Sequence, residues 1–564
     1  MKKHVIRTAL GLSLSLFLFI SCEKENPKET PTTTPTITFT GVDETGEQKV
    51  KIGGTVTLNA IVENAVNPIF TWKIGGKIVS TERTFTFVAD KLGEYFANFR
   101  VDAENGSKEG QVKISVLEKL PPSIKLGATL LAYSGKDTEL TAEADNAENA
   151  TYVWRLDGQV VSETATYIFN QTTLGDYLLT LKVTTADGQD LKTVAVTVLP
   201  EPLPELFFDD GHYRTVTNAG DLRKMTVPEG KSLVLAPVIC NVSDTVGFEW
   251  KVDGTTKQTG ENLYYTFTPA AQGTYLVSVT ETGTGATAKV EVTCTASEGT
   301  NKRTGGAKAH ATKAYDYIPA PGQFVSYQAG STKVGALADL QAWCDRGAQG
   351  YFHIGAYGGY FIVGFDHSVE NKPDAADLQI NGNAFSGWCE PGIVWVSQDE
   401  NGNGLADDTW YELKGSETGQ PATTQRLVIT YYKPRTANSN VMWTDNIGRS
   451  ESVDWNGFHM QASYFPMFIV EDYYMLTGTC LASTFFTSGL EYSACYSWGY
   501  ADNLSSNGSR PGGQFWIEDA IQVDGSPANL QYIDFVKVHT ATTGKGAAVG
   551  EISCEAYLPV DLNF

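Results

Sequence analysis

Three stretches of the chain carry one pattern of apolar and polar positions. "FTWKIGGK" (Phe70 to Lys77), "YVWRLDGQ" (Tyr152 to Gln159) and "FEWKVDGT" (Phe248 to Thr255) alternate large apolar and polar residues into a Gly-containing turn. Each is followed by a second alternating run, "LGEYFANFRV", "LGDYLLTLKV" or "QGTYLVSVTE". Trp72, Trp154 and Trp250 precede Tyr95, Tyr177 and Tyr275 by 23, 23 and 25 residues. Recurrence at about 80 to 100 residues predicts three tandem domains. Short strands of period two, separated by Gly, Asp and Asn turns, predict β-sandwiches. Their Trp and Tyr residues are needed to fill cores, so the units read as spacers more readily than as ligand-recognition modules.

From Ser297 to Ala314 the text "SEGTNKRTGGAKAHATKA" is poor in large apolar residues and predicts a linker. Beyond it lie eight of the eleven tryptophans and further alternating runs: "YFIVGFD", "GIVWVSQ", "RLVITYY" and "YIDFVKVHT". These predict a larger, jelly-roll-like β-sandwich with one or two helices. The firm helix is "KVGALADLQAWCDRGA", which spaces Val334, Leu337, Leu340 and Trp343 along one face. The expected domains are 36–118, 119–200 and 201–296, a linker over 297–314 and a C-terminal domain over 315–564.

The first residues change the picture. Lys2, Lys3 and Arg7, an apolar run from Ala9 to Ile20, then Ser21 and Cys22 form a secretory signal too short to span a bilayer. "LFISC" resembles a lipoprotein signal, which makes 1–21 the signal peptide and Cys22 the lipidation site; an ordinary secreted protein is the alternative. The Pro/Thr-rich stretch over 22–35 has nothing to bury and reads as an extended tether. A net charge of −23 argues against nucleic acid and anionic membrane surfaces as partners. Cys22 apart, seven cysteines remain and none forms a CxxC, so neither a disulfide framework nor a zinc site is expected. Cys240 and Cys294 could pair.

The Trp and G-x-Y strands resemble PKD and immunoglobulin-like modules of bacterial surface proteins. The blocks "GGYFIVGFDHSVEN", "EPGIVWVSQDENGNGLADDTWYELKGSE", "WGYADN", "YIDFVKVHT" and "GEISCEAYLPVD" resemble a family of PKD-linked cell-surface lipoproteins of gut bacteria. The resemblance implies a lipid-anchored protein on the outer membrane facing the exterior, as do the acidic residues after Cys22. Genes of this family often lie beside TonB-dependent uptake systems, including those for cobamides. The repeats depart from the PKD Asp-Gly-Asp turn, so no PKD calcium role is implied.

"DENGNGLADDTWYEL" carries the candidate chemistry. Asp399, Asn401, Asn403, the Leu405 carbonyl and Asp407 take positions 1, 3, 5, 7 and 9 of an oxygen-ligand calcium loop, with Gly404 at the sharp bend. Trp410 stands where an EF-hand has its bidentate Glu, so Asp408 or Glu412 would have to close the shell of a structural Ca2+. A long Asn-Gly hairpin is the alternative, although it leaves the crowded carboxylates unexplained. For ligand binding the candidates are Trp388, Trp410, Trp455, Tyr464, Trp498 and Tyr500, which lie in or beside Gly/Asn/Asp-rich loops, where aromatic faces can stack on sugars or a flat macrocycle. Neither G-x-S-x-G nor H-E-x-x-H occurs, and the expectation is a non-enzyme. The leading reading is capture of a glycan or cobamide-like nutrient for a TonB-dependent transporter. Adhesion to another protein comes second; glycan hydrolysis through carboxylates such as Glu390 and Asp502 comes last.

Overall fold

The computed structural model describes residues 34–564 except 43–44, 128, 174, 243, 326–329, 348–349, 436 and 489. The signal peptide, Cys22 and nearly all of the tether lie outside the described residues. Among the described residues no helix is long and apolar enough to cross a membrane. The chain divides into two compact units, one ending at Leu199 and one running from Pro200 to Phe564.

The first unit holds two β-sandwiches. In the first, a five-stranded sheet runs in the order Glu47–Lys51, Gly106–Leu117, Gly93–Ala103, Ile69–Ile74 and Lys77–Ser80. Its leading strand is parallel to its neighbour, and the other pairs are antiparallel. Three strands, Thr36–Thr40, Thr55–Glu63 and Thr84–Val88, form the facing sheet. The second sandwich repeats the plan, with Thr129–Tyr133 parallel to Gly188–Leu199 at the head of its five-stranded sheet. Period two puts Trp72, Phe99 and Val112 on one inward face, and Trp154, Leu181 and Val196 on the corresponding face of the second; all six are completely buried. The G-x-Y signature has a specific cause. The hydroxyls of Tyr95, Tyr177 and Tyr275 donate to the carbonyls of Lys91, Thr173 and Ala271 at 2.8 to 2.9 Å, each four residues upstream. This is the tyrosine corner of immunoglobulin-like sandwiches, which fixes the chain where it crosses between sheets.

The second unit contains the third sandwich and a larger two-sheet sandwich. The third repeats the plan, with Arg223–Pro228 parallel to Thr287–Thr295 and Trp250 fully buried. In the larger sandwich, six antiparallel strands run in the order Lys313–Ile318, Tyr360–Glu370, Tyr532–Thr540, Gly392–Ser397, Trp410–Leu413 and Ala520–Ile521. The five-stranded sheet contains Tyr473–Cys480, Thr424–Tyr432, Val441–Asp445 and Ser450–Val453. Its edge strand, Arg214–Thr215, comes from the third module. Aromatic and aliphatic side chains from both sheets, among them Tyr431, Tyr474 and Ile362, and Tyr357 from the turn before Tyr360–Glu370, fill the space between.

Four expectations require correction. The third module is not a detached spacer. Its Thr226 and Thr409 exchange three buried hydrogen bonds of 2.6 to 3.2 Å, and Phe207, Val238 and Cys240 share a core with Val428. Nor is 297–314 a free linker. Asn301 donates to the Glu400 carbonyl at 2.6 Å, and Arg303 reaches the fully buried Asp534 carboxylate at 3.0 Å. Ala311 is buried and donates to the Pro559 carbonyl. Small residues let this backbone lie flat on the sheet: a Cβ on Gly306 would fall 2.3 Å from His367 Nδ1. The helix forms over Lys333–Arg346, capped by the Thr332 hydroxyl, but buries Ala336, Leu340, Trp343 and Cys344 while Val334 is 80% exposed. Finally, Cys240 and Cys294 are free and buried, and the disulfide joins Cys389 to Cys495.

Candidate ligand-binding site

The disulfide clamps two irregular segments at one end of the larger sandwich, and between them runs a groove of about 500 Å³. Asn381, Asp502, Asn503, Ser505 and Tyr557 supply its polar lining, and Leu504 an apolar edge that is 43% exposed. Asp502 organises the wall. Its backbone is left-handed at φ 49°, and its carboxylate accepts from Ala384 N at 2.9 Å and Glu555 N at 2.8 Å. The opposing residue must be glycine, because a Cβ on Gly382 would lie 2.1 Å from Asp502 Oδ1. The Asn503 amide bonds both the N–H and the carbonyl of Tyr496, which holds the second segment against the first.

Aromatic rings follow the lining residue Ala384 in the chain. Phe385, 62% exposed, and half-buried Trp388 close a tight turn through reciprocal backbone hydrogen bonds of 2.9 and 3.0 Å. On the adjoining hairpin, Phe485–Ser488 with Leu490–Ser493, the rings of Phe486 and Tyr492 stack at 5.1 Å, and Tyr492 packs beside Gly387. Beneath them Glu390, Asp502 and Glu555 form a carboxyl cluster. Burial first, then the charges of Asp502 and Glu555, push Glu390 well above the usual carboxylate range. Burial likewise raises Asp502 to about 7, against the backbone N–H of Glu555. Glu390 accepts from Ser553 N and from the Trp388 indole, and Glu555 pairs with His353 at 2.5 Å. These carboxyls therefore anchor loops. The acids named for hydrolysis are brought together, but both are occupied by backbone donors.

Of the six expected ligand aromatics, none lines this groove; Trp388 lies nearest in sequence, in the turn that follows the lining residue Ala384. Tyr464 and Tyr500 are buried, their hydroxyls accepting from Asn456 N and Glu417 N, so they are core residues. Trp455 packs on the core and donates to the Gln461 carbonyl at 2.9 Å. The Trp498 ring is covered by the Arg510 guanidinium, 4.7 Å from its centroid, which also lies 4.6 Å from Trp516. Trp410 faces the third sandwich. Phe385, Tyr492 and Tyr557 were not anticipated. The signal for the first two was their place beside glycines and the paired cysteines, in "NAFSGWC" and "SGLEYSAC".

The 399–408 loop is closed by side chains that accept from backbone N–H groups of the same loop. Gly404 N donates to Asp399 Oδ2 at 3.0 Å, Asn403 N to Asn401 Oδ1 at 2.9 Å and Leu405 N to Asn403 Oδ1 at 2.7 Å. Asp399 is 3% exposed, and its Oδ1 has no partner. Asp407 accepts from both the Asn401 and Asn403 amides at 3.1 to 3.2 Å. Two members of the expected ligand set do not join. Glu412 turns to the Thr479 hydroxyl, and Asp408 sits beside Glu400 and Thr226 on the inner side, raised to about 8 chiefly by burial. Among the described residues no group of three or more His, Cys, Asp and Glu side chains could hold a metal ion, so this loop would have to rely on two carboxylates with amide and carbonyl oxygens.

Comparison with known proteins places the N-terminal modules in a class. The PKD-like domain family matches residues 35–103 and 121–185. These two modules are thus PKD-like β-sandwiches. No curated protein matches the chain. Among solved structures, the chain is similar to the I-band fragment I67-I69 of titin, at 13% identity over 46% of this chain and 98% of that one, TM-score 0.15. It is also similar to Drosophila N-cadherin EC1-4, at 13% identity over 46% and 75%, TM-score 0.22. The fibronectin(III)-like modules of Clostridium thermocellum CbhA are 16% identical over 29% and 95%, TM-score 0.16. At such scores these likenesses carry no functional argument.

Proposed function

We propose that the chain is a lipid-anchored protein of the outer-membrane exterior whose C-terminal sandwich binds a glycan. The PKD-like modules act as the spacer, and a TonB-dependent transporter receives the ligand. The observation that carries the reading is the groove of about 500 Å³ with amide, hydroxyl and carboxylate lining and the Tyr557 ring in its wall, its lining residue Ala384 leading directly into the turn that carries Phe385 and Trp388. Saccharide recognition needs that combination, because ring C–H faces stack on aromatics while hydroxyls need fixed polar partners. In the same reading, Asp399, Asn401, Asn403, the Leu405 carbonyl and Asp407 hold a structural Ca2+ with water completing the shell.

Affinity electrophoresis against a panel of soluble glycans, beside a cobamide titration, tests this function. Retardation by a glycan, abolished by Phe385→Ala with Trp388→Ala, is the expected result. Binding of the cobamide alone, or retention of the ligand by residues 34–199, would overturn the glycan assignment. A protein partner recovered in place of any glycan would favour adhesion.

A further inference from the structure

A second cavity, of about 100 Å³, lies in the seam where the third sandwich meets the six-stranded sheet. Met225, Leu233 and Leu235 wall it from the third sandwich, and Trp395, Trp410 and Glu412 from the larger one. The sheet register sets these three side chains together. Trp410 and Glu412 are two residues apart on one strand, and Trp395 is the cross-strand partner of Glu412, so all three project from one face. The site is incomplete without either sandwich, which gives the seam a role beyond joining modules.

The polar groups here are fixed and unequally satisfied. Trp395 Nε1 donates to His539 Nδ1 at 3.0 Å. Trp410 Nε1 is buried without any acceptor. Glu412 accepts the Thr479 hydroxyl on one oxygen and is 7% exposed, and among the described residues no cation pairs with it; a second carboxyl, Asp209, also lines the cavity and accepts from Gly211 N at 2.9 Å. Arg426 lines the same cavity, but its guanidinium lies over the Tyr264 ring at 5.5 Å and reaches toward the Val523 carbonyl. The cavity thus presents an indole donor seeking an acceptor, a carboxyl group able to accept another donor, and apolar walls. An unpaired buried donor is costly, so a molecule that meets it binds with more than its apolar area.

We infer that this seam cavity binds a small aliphatic amide, its carbonyl accepting from Trp410 Nε1 and its N–H donating to Glu412, with the alkyl group against Leu233 and Leu235. An amide supplies acceptor and donor on two atoms bonded to one carbon, whereas a protonated amine lacks the acceptor and a ketone lacks the donor. The volume admits a ligand of roughly four to six heavy atoms, by comparison with cavities of ~150 Å³ that hold benzene. The site is separate from the groove and does not depend on the glycan reading.

The test is a titration of the full chain, labelled at tryptophan, with propionamide, following the indole N–H resonances by NMR; Trp410→Phe assigns the Trp410 signal. A saturable shift of that signal is expected, with affinity at least about tenfold lower in Glu412→Leu, as loss of a hydrogen bond to a carboxylate implies. Thr479→Val, which removes only the hydroxyl, keeps the shift and guards against misfolding of the Glu412 variant. Failure of propionamide to move the Trp410 resonance up to its solubility overturns the inference. So does an equal response to tetramethylammonium, which would make the cavity a cation site.

Discussion

Replacing Glu412 by Gln separates the charge of this buried carboxyl from its shape. Burial raises Glu412 from 4.5 to about 7, opposed by the Thr479 hydroxyl. The folded state therefore holds the proton more tightly than the unfolded chain. The resulting stability is complete below the unfolded value near 4.5, declines above it, and is lost once pH has risen through 7. At about 1.4 kcal/mol per tenfold change in proton affinity, the ionised form costs on the order of 3 kcal/mol above about pH 8. Gln keeps an oxygen for Thr479 and never ionises, so Glu412→Gln should match the wild type near about pH 4 and exceed it by that amount near about pH 8. The second unit comprises the 365 residues from Pro200 to Phe564. With an unfolding entropy of ~2 cal/mol/K per residue, the gain corresponds to a rise in Tm of about 4 °C for a unit of that size. Differential scanning calorimetry of both proteins across this range isolates the group, because the other raised carboxyls cancel in the difference. A variant-minus-wild-type difference that does not change with pH would refute the reasoning, since it would mean that a counter-charge already meets Glu412.

Three further outcomes are expected. Tyr177→Phe removes the corner hydrogen bond to the Thr173 carbonyl and should destabilise the second sandwich by about 1 kcal/mol in urea titration, leaving the second unit's transition unchanged. Thiol labelling of the denatured chain should gain two groups on reduction, from Cys389 and Cys495; at a sequence separation of 106, their double replacement by Ala should cost the second unit ~4 kcal/mol. Millimolar calcium should raise the Tm of the second unit, and Asp399→Ala with Asp407→Ala should abolish the rise; identical curves in both proteins would remove the calcium loop.

What could be read from the sequence follows how local its physical cause is. The three sandwiches were legible because each Trp and each G-x-Y serves contacts inside one module: Trp154 fills its own core, and the Tyr177 hydroxyl reaches back only four residues. Alternation was equally informative for Tyr532–Thr540, although every one of its residues is buried, because its β-branched and aromatic composition still marks a strand. That the segment at Asp399 turns was legible for the same reason, since its turns are closed by donors two to five residues away. The misreadings concern side chains whose partners lie far along the chain. Glu412 is spaced like a loop ligand, yet strand alternation sends it to Thr479, 67 residues on. Arg303 sits in a stretch with the composition of a linker, yet its guanidinium meets the buried Asp534 carboxylate, 231 residues on. The same limit explains the groove. Asp502 must approach Gly382 and Glu555 together, and no periodicity in a single strand encodes a meeting of three segments. The seam cavity has the same origin, since its walls come from both the third module and the larger sandwich. The boundary between compact units along this chain accordingly falls at Leu199, not at the apparent linker.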